Sequence, residues 1–168
     1  MMAIRILNKS DAKLYQEVRL SALKNNPEAF GSTYEREAKF SLEFVAERLA
    51  PVKDKFVLGA FDYNGSLAGI VTFMRENSLK TRHKANVFGV YVAPDTRGQG
   101  IGKSLMIELI KKAKNMDDLE QINLTVVSDN HSAKMLYKSL GFEIYGVERN
   151  ALKYNGQYFS EDLMVLTI

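Results

Sequence analysis

The sequence predicts an α/β fold, one domain over residues 1–168 built on a mixed central β-sheet flanked by helices. Three observations carry that reading. An apolar strand ending at Val92 runs through Ala93-Pro94 into a glycine-rich turn, and an amphipathic helix begins at once. A second strand and helix follow, Ile122–Val127 and Ser132–Leu140. Hairpin signals flank this middle, Asn64-Gly65 on one side and Asn155-Gly156 on the other. A strand–loop–helix–strand centre between hairpins implies a sheet with both parallel and antiparallel pairs.

The elements follow in order. Ala3-Ile-Arg-Ile-Leu alternates as a short strand, and Ser10 or Asp11 is placed to cap a helix with Leu14, Val18 and Ala22 on one face, stopped before Pro27. A loop passes through Phe30 and Gly31, and Ser41 caps a second helix carrying Phe44, Val45 and Leu49. Phe56–Asp62 and Leu67–Arg75 read as strands joined across Tyr63-Asn-Gly-Ser66. A strand over Asn86–Val92 leads to the glycine turn. The helix beyond it buries Ile101, Leu105, Leu109 and Ala113, and Lys111, Lys112 and Lys114 suit its negative C-terminal end. Gly141 ends the helix after Ile122–Val127. The last two strands, Phe142–Leu152 and Tyr158–Leu166, close on Asn155-Gly156.

Composition excludes several classes. There is no cysteine, so no disulfide, thiolate metal site or cysteine nucleophile, and two histidines make a zinc or iron centre improbable. A net charge of +3 is too weak to argue for nucleic acid. The basic run Lys80-Thr-Arg-His-Lys84 reads as a solvated loop, or as an attractor of an acidic ligand. No apolar run reaches eighteen residues, and the first residues, broken by Arg5, carry no signal-peptide pattern. The expected setting is cytoplasmic, with neither membrane nor nucleic acid as partner.

The glycine turn is the informative feature. Gly98, Gly100 and Gly102 remove the side chains that would keep a ligand from the backbone, and the N–H groups there face outward at the positive end of a helix. That suits a pyrophosphate. A P-loop requires glycine where Arg97 stands, although Gly102-Lys103-Ser104 supplies its end and Leu124–Asp129 imitates the strand that goes with it. A dinucleotide fingerprint counted from Gly98 or Gly100 meets Lys103 or Leu105 in place of its third glycine. What fits is Arg97-x-x-Gly100-x-Gly102.

That pattern, Q/R-x-x-G-x-G/A, resembles the acyl-coenzyme A loop of the GCN5-related N-acetyltransferase (GNAT) family. The strand Gly89–Asp95 before it resembles the family's fourth strand, and Asn130-x-x-Ala133-x-x-x-Tyr137-x-x-x-Gly141-Phe142 is similar to its second signature. The resemblance implies the single-domain GNAT fold and acetyl-CoA as cosubstrate, with no metal. It implies that Arg97, Gly98, Gln99, Gly100, Ile101, Gly102, Lys103 and Ser104 hold the pyrophosphate, while Val90, Tyr91 and Val92 offer a strand edge to the pantetheine arm. Asn130 contacts the arm or caps the following helix, or both. Tyr137 corresponds to the general acid that protonates the departing thiolate, a role for which a phenol protonated at neutral pH is suited.

The base is not carried over, because the strand before the loop has no glutamate between Asn86 and Ala93. Glu35, with Glu37 beside it, is the candidate base or acceptor contact, and the plainer reading of each is an ordinary surface charge. The expected activity is direct transfer of acetyl from acetyl-CoA to a primary amine, of a small molecule or of a peptide or protein. A noncatalytic acyl-CoA sensor and a P-loop-like nucleotide binder are the alternatives. The resemblance allows a homodimer, but nothing in the sequence locates an interface or names the acceptor.

Overall fold

The computed structural model describes residues 2–168. Its seven strands are β1 (Ala3–Ile6), β2 (Lys55–Phe61), β3 (Leu67–Arg75), β4 (Lys84–Val92), β5 (Gln121–Val127), β6 (Glu143–Tyr154) and β7 (Gln157–Thr167). They form one sheet in the order β1-β2-β3-β4-β5-β7-β6. Five helices accompany them: α1 (Ala12–Asn25), α2 (Tyr34–Glu37), α3 (Leu42–Leu49), α4 (Ile101–Lys114) and α5 (His131–Ser139). The β4–β5 pair is parallel and the other five strand pairs are antiparallel, so the sheet is mixed as expected.

Two apolar layers hold the sheet between helices. On one face Ala22, Val45 and Leu49 from α1 and α3 pack with Val57, Ile70 and Tyr91. On the other, Ile101, Leu105, Met106 and Leu109 of α4 and Tyr137 of α5 pack with Leu58, Val71, Phe73, Val87 and Leu124. The four positions assigned to the buried stripe of α4 are all in the core. The helix approaches β3 closely at Gly69, where an added Cβ would lie 3.0 Å from Ile101 Cγ2 and from Leu105 Cδ1. Burial of this kind contributes roughly 25 cal/mol per Å² of apolar surface, which is why the layers rather than helix propensity fix these elements.

Several local expectations are corrected. The cap before α1 is Asn8, whose side chain accepts from Ser10 N while Asp11 accepts from Asn8 N, a reciprocal box around a short 3₁₀ turn. Asp11 does not cap α1, because Arg5 holds its carboxylate in a forked pair at 2.8 and 2.9 Å. Leu14 is 38% exposed and Phe44 47% exposed, so neither belongs to the core faces assigned to them. Ala12, Gln16, Ala22 and Leu23 are the buried residues of α1 instead. Phe44 lies on the surface against Phe40, ring centroids 4.7 Å apart. The segment after Gly31 contains α2, capped by Thr33, where a loop is expected. Asp62 lies in the turn, not in β2, and accepts from Asn64 N and Ser66 N.

Two irregularities in the middle of the sheet set up the site. β4 and β5 pair over Lys84–Asn86 and Gln121–Asn123, then run on unpaired to Val92 and Val127. Within β4, the register against β3 shifts between Ile70 and Thr72, and Gly89 takes a left-handed φ of +60°. This is a bulge that bends the strand away from β5. The two strands therefore part like the arms of a V.

Candidate active site

A cleft of about 980 Å³ occupies the V and is lined by both strands, the loop before α4, and α5. The end at the glycine loop is built by backbone. Gly98 and Gly100 sit at φ +80° and +77°, and a Cβ on either would meet nothing within 4 Å, so the requirement is conformational and the space above them is open. Among the described residues the N–H groups of Gly98–Lys103 have no acceptor within the chain; Ser104 is the first to find one, on Gly100. Six consecutive amides at the positive end of a fourteen-residue helix are an arrangement suited to an anion. Gly98, Gly100, Ile101, Gly102 and Lys103 line the cleft, while Gln99 and Ser104 are exposed outside it.

Along β4, Val90, Tyr91 and Val92 also line the cleft. Their peptide groups on the β5 side are released by the splay, so an amide-bearing chain fits there as an added strand. Tyr91 turns its side chain to the α1 face: its ring meets Phe30 edge-on at 6.3 Å and its hydroxyl stands 3.4 Å from Ser21 Oγ. Arg97 folds back over this ring, 5.4 Å from its centroid, and donates from Nε to the Val92 carbonyl at 3.0 Å. Arg97 thus touches the strand edge itself as well as the loop.

Across the V, Asn130 accepts from Ala133 N at 3.3 Å as the cap of α5, and it lines the cleft. It caps the helix and lines the cleft at once. Two turns along the same helix, Tyr137 is 7% exposed, lines the cleft and meets Phe142 edge-on. Burial raises its phenol pKa to about 12, so it stays protonated throughout the neutral range. The helix is pinned from beneath: Lys134 Nζ meets Asp162 at 2.8 Å, and Ser128 Oγ donates to the same carboxylate at 2.6 Å. That clamp joins α5 to β5 and β7 and fixes the ring of Tyr137 relative to both arms.

The acidic residues are arranged differently from expectation. Glu35 is exposed on α2 and does not line the cleft. Glu37, at 3% exposure, is committed to Arg19 through two hydrogen bonds of 2.9 Å. Burial pulls its pKa upward, but the bonds from Arg19 and Ser32 outweigh this and the carboxyl titrates below its ordinary range. The carboxylate that does line the cleft is Glu161 of β7, facing Val127 of β5 and Glu148 of β6 in the sheet register. Burial and the like charge of Glu148 raise its pKa, against a bond from Thr125 that lowers it. The signal for it in the sequence is a glutamate inside a strand otherwise reading Phe159-Ser, Leu163-Met-Val; alternation then sends Asp162 under α5 and Glu161 into the cleft.

A sheet parted at its one parallel pair, with an amide-lined helix start on one arm and a buried phenol on the other, defines a cleft for a phosphate-bearing chain and its reaction partner. Residues 4–163 match the profile of the acetyltransferase (GNAT) domain, and the chain belongs to this family. It is 33% identical over 95 residues to the L-amino acid N-acetyltransferase AaaT of Escherichia coli (strain K12), a match covering 56% of this chain and 58% of that protein. The matched stretch spans a little over half the length of the curated relatives. Over the whole of both chains it superposes on an acetyltransferase of the GNAT family from Streptococcus pneumoniae with a TM-score of 0.85 at 25% identity. The fold is also that of yncA from Salmonella typhimurium, a structure holding acetyl-CoA: TM-score 0.78 at 23% identity, covering 99% and 94% of the two chains.

Proposed function

We propose that this protein is an N-acetyltransferase that moves the acetyl group of acetyl-CoA directly onto a primary amine within a ternary complex. The observation that carries this is the unpaired run of β4 leading into the six free amides of the loop. It matches the two ends of a pantetheine–pyrophosphate chain, an amide-bearing arm and a dianion. Acetyl-CoA supplies the activated thioester; the remaining chemistry belongs to side chains and backbone of this chain.

Amides released on β4 beside the bulge are placed to bond a thioester carbonyl as it gains negative charge. Glu161 takes the proton of the attacking amine, directly or through a water. The need is quantitative: an amine of pKa about 10.4 is neutral in roughly one molecule in 2,500 at pH 7. A carboxylate whose pKa is raised by burial is a stronger base than a solvated one. Tyr137 gives its proton to the departing thiolate. Holding both reactants in one cleft supplies the rest of the acceleration.

The test is thiol release from acetyl-CoA, read with a thiol-reactive dye, across pools of small amines and peptides. The protein has no cysteine and contributes no background. Release with one pool and loss of about 10²-fold in kcat for Tyr137→Phe, at unchanged KM for acetyl-CoA, is the expected result. A rise in Tm with acetyl-CoA but no release in any pool would instead mark an acyl-CoA sensor.

A further inference from the structure

On the α1–α3 face of the sheet the cleft continues past the strands just assigned to the cosubstrate, and its charge there is lopsided. Glu161 is the one carboxylate lining it among the described residues, against Arg19 from α1, Arg48 from α3 and Lys55 from β2. Glu37 neutralises Arg19 but engages only Nε and Nη2. The third nitrogen, Nη1, is left without an acceptor and points at the bulge: a Cβ built on Gly89 would stand 3.4 Å from it. Arg48 and Lys55 have no ion-pair partner among the described residues.

These cations are misplaced for the cosubstrate phosphates. Lys55 is in register with Met74, and Met74 with Asn86, while the loop begins only after Val92. At about 3.3 Å per residue the Lys55 level lies roughly 20 Å from the phosphate end. They face the other reactant. Gly89 and Glu161 belong to strands two places apart in the sheet, a spacing of roughly 10 Å where strands pair and more where they part. A small molecule charged at both ends, with a hydrogen bond at each, spans a gap of that size.

Resting on the acetyl-transfer reading, we infer that the acceptor is an amine carrying its own anion close by, the chemistry of a free amino acid. Its amino group lies toward Glu161 and its carboxylate on Nη1 of Arg19. Arg48 and Lys55 add attraction for the anion at longer range, as befits exposed or half-exposed cations. A polyamine meets the opposite field: two unpaired cations, Arg48 and Lys55, against one carboxylate repel it. A peptide amino terminus or an internal lysine lacks the adjacent carboxylate that the free Nη1 matches.

The experiment compares three matched sets in the thiol-release assay with product mass as confirmation: free α-amino acids, their carboxamides, and the corresponding decarboxylated amines. The acids are expected to exceed both others at least tenfold in kcat/KM. Arg19→Lys, which loses the fork, should raise KM for the acids more than tenfold while leaving KM for acetyl-CoA in place. If that variant fails to fold, Arg48→Gln combined with Lys55→Gln carries the test, with a severalfold rise in KM for the acids alone. Amides or decarboxylated amines used as well as the acids overturn the inference and leave acetyl transfer intact. Release with none of the sets overturns it as well; a Tm rise with acetyl-CoA then shows that the cosubstrate cleft survives.

Discussion

At Glu161 and Tyr137 burial acts in the same direction, with consequences at opposite ends of the pH scale. Both groups are pushed toward the neutral form, the carboxyl by burial and by Glu148, the phenol by burial alone. For Tyr137 the consequence is an acid that never ionises in the working range, so no alkaline limb arises from it below about pH 12. For Glu161 the direction matters at the other end. A raised pKa means that the proton is held to a higher pH, and base function appears only as pH climbs through that value. The rate, kcat/KM, should therefore rise with pH along a limb that Glu161→Gln abolishes, with a loss of about 10²-fold at neutral pH. A pH–rate profile decides it; a variant keeping the same limb would assign the proton to another group. The burial of Tyr137 was legible from the sequence because a helix fixes its face by spacing alone, while its proposed role as the acid rests on the family resemblance. Glu161 was not, because its side of the sheet depends on the β6–β7 register, which shifts at two places, between Ile144 and Gly146 and between Glu148 and Leu152. Glu35 misled for a related reason: proximity in sequence to the acceptor side does not say that α2 turns Glu37 inward and Glu35 outward.

The elements were legible wherever a residue type dictates a backbone: both Asn-Gly turns, the Ser41 cap, Gly141 at φ +100° ending α5, and the buried stripe of α4. Where they failed, a tertiary contact had won, as with Asp11, drawn from α1 by Arg5. The most consequential feature, the parting of β4 and β5, has no sequence marker except Gly89, since both strands keep their apolar pattern beyond the last paired residues. The packing of α4 on β3 makes the phosphate end testable. Gly69→Val would force side-chain atoms against Ile101 and Leu105 and against the Tyr91 carbonyl, 3.2 Å from the first added carbon. Overpacking of this order costs about 1–3 kcal/mol. Ile101 is the first residue of α4, so the displacement passes into the loop and should raise KM for acetyl-CoA severalfold. Leu109→Ala, two turns further along, should cost about 2–5 kcal/mol by leaving a cavity yet leave that KM unchanged. Equal KM values in the two variants would mean that the loop is positioned independently of this contact.

Among the described residues three buried carboxylates act as fasteners between elements. Asp11 ties α1 to β1 through Arg5, Glu37 ties α2 to α1 through Arg19, and Asp162 ties β7 to α5 through Lys134. All three titrate below their ordinary values: Asp11 through the Arg5 bond, Asp162 through the Lys134 bond, and Glu37 through Arg19 against the pull of burial. The sign follows from linkage. A carboxyl with a lower pKa folded than unfolded binds fewer protons when folded, so its stabilisation is complete above the unfolded value, about 3.9 for Asp and 4.3 for Glu, and is lost as pH falls through the folded value. Glu161 has the reverse sign: its raised pKa destabilises the fold at neutral pH, and the penalty fades on acidification. Urea titrations from pH 3 to 8 should accordingly show a midpoint that drops steeply below about pH 4. Asp162→Asn should be less stable than the parent at pH 7, with Lys134 left half-sheltered and unpaired, and the gap should close below about pH 4. Glu161→Gln should be more stable than the parent at pH 7 and far less active. That pairing separates a carboxylate kept for chemistry from one kept for the fold: a Glu161→Gln protein that lost both stability and activity would place Glu161 among the fasteners, and the base would have to be sought elsewhere in the cleft.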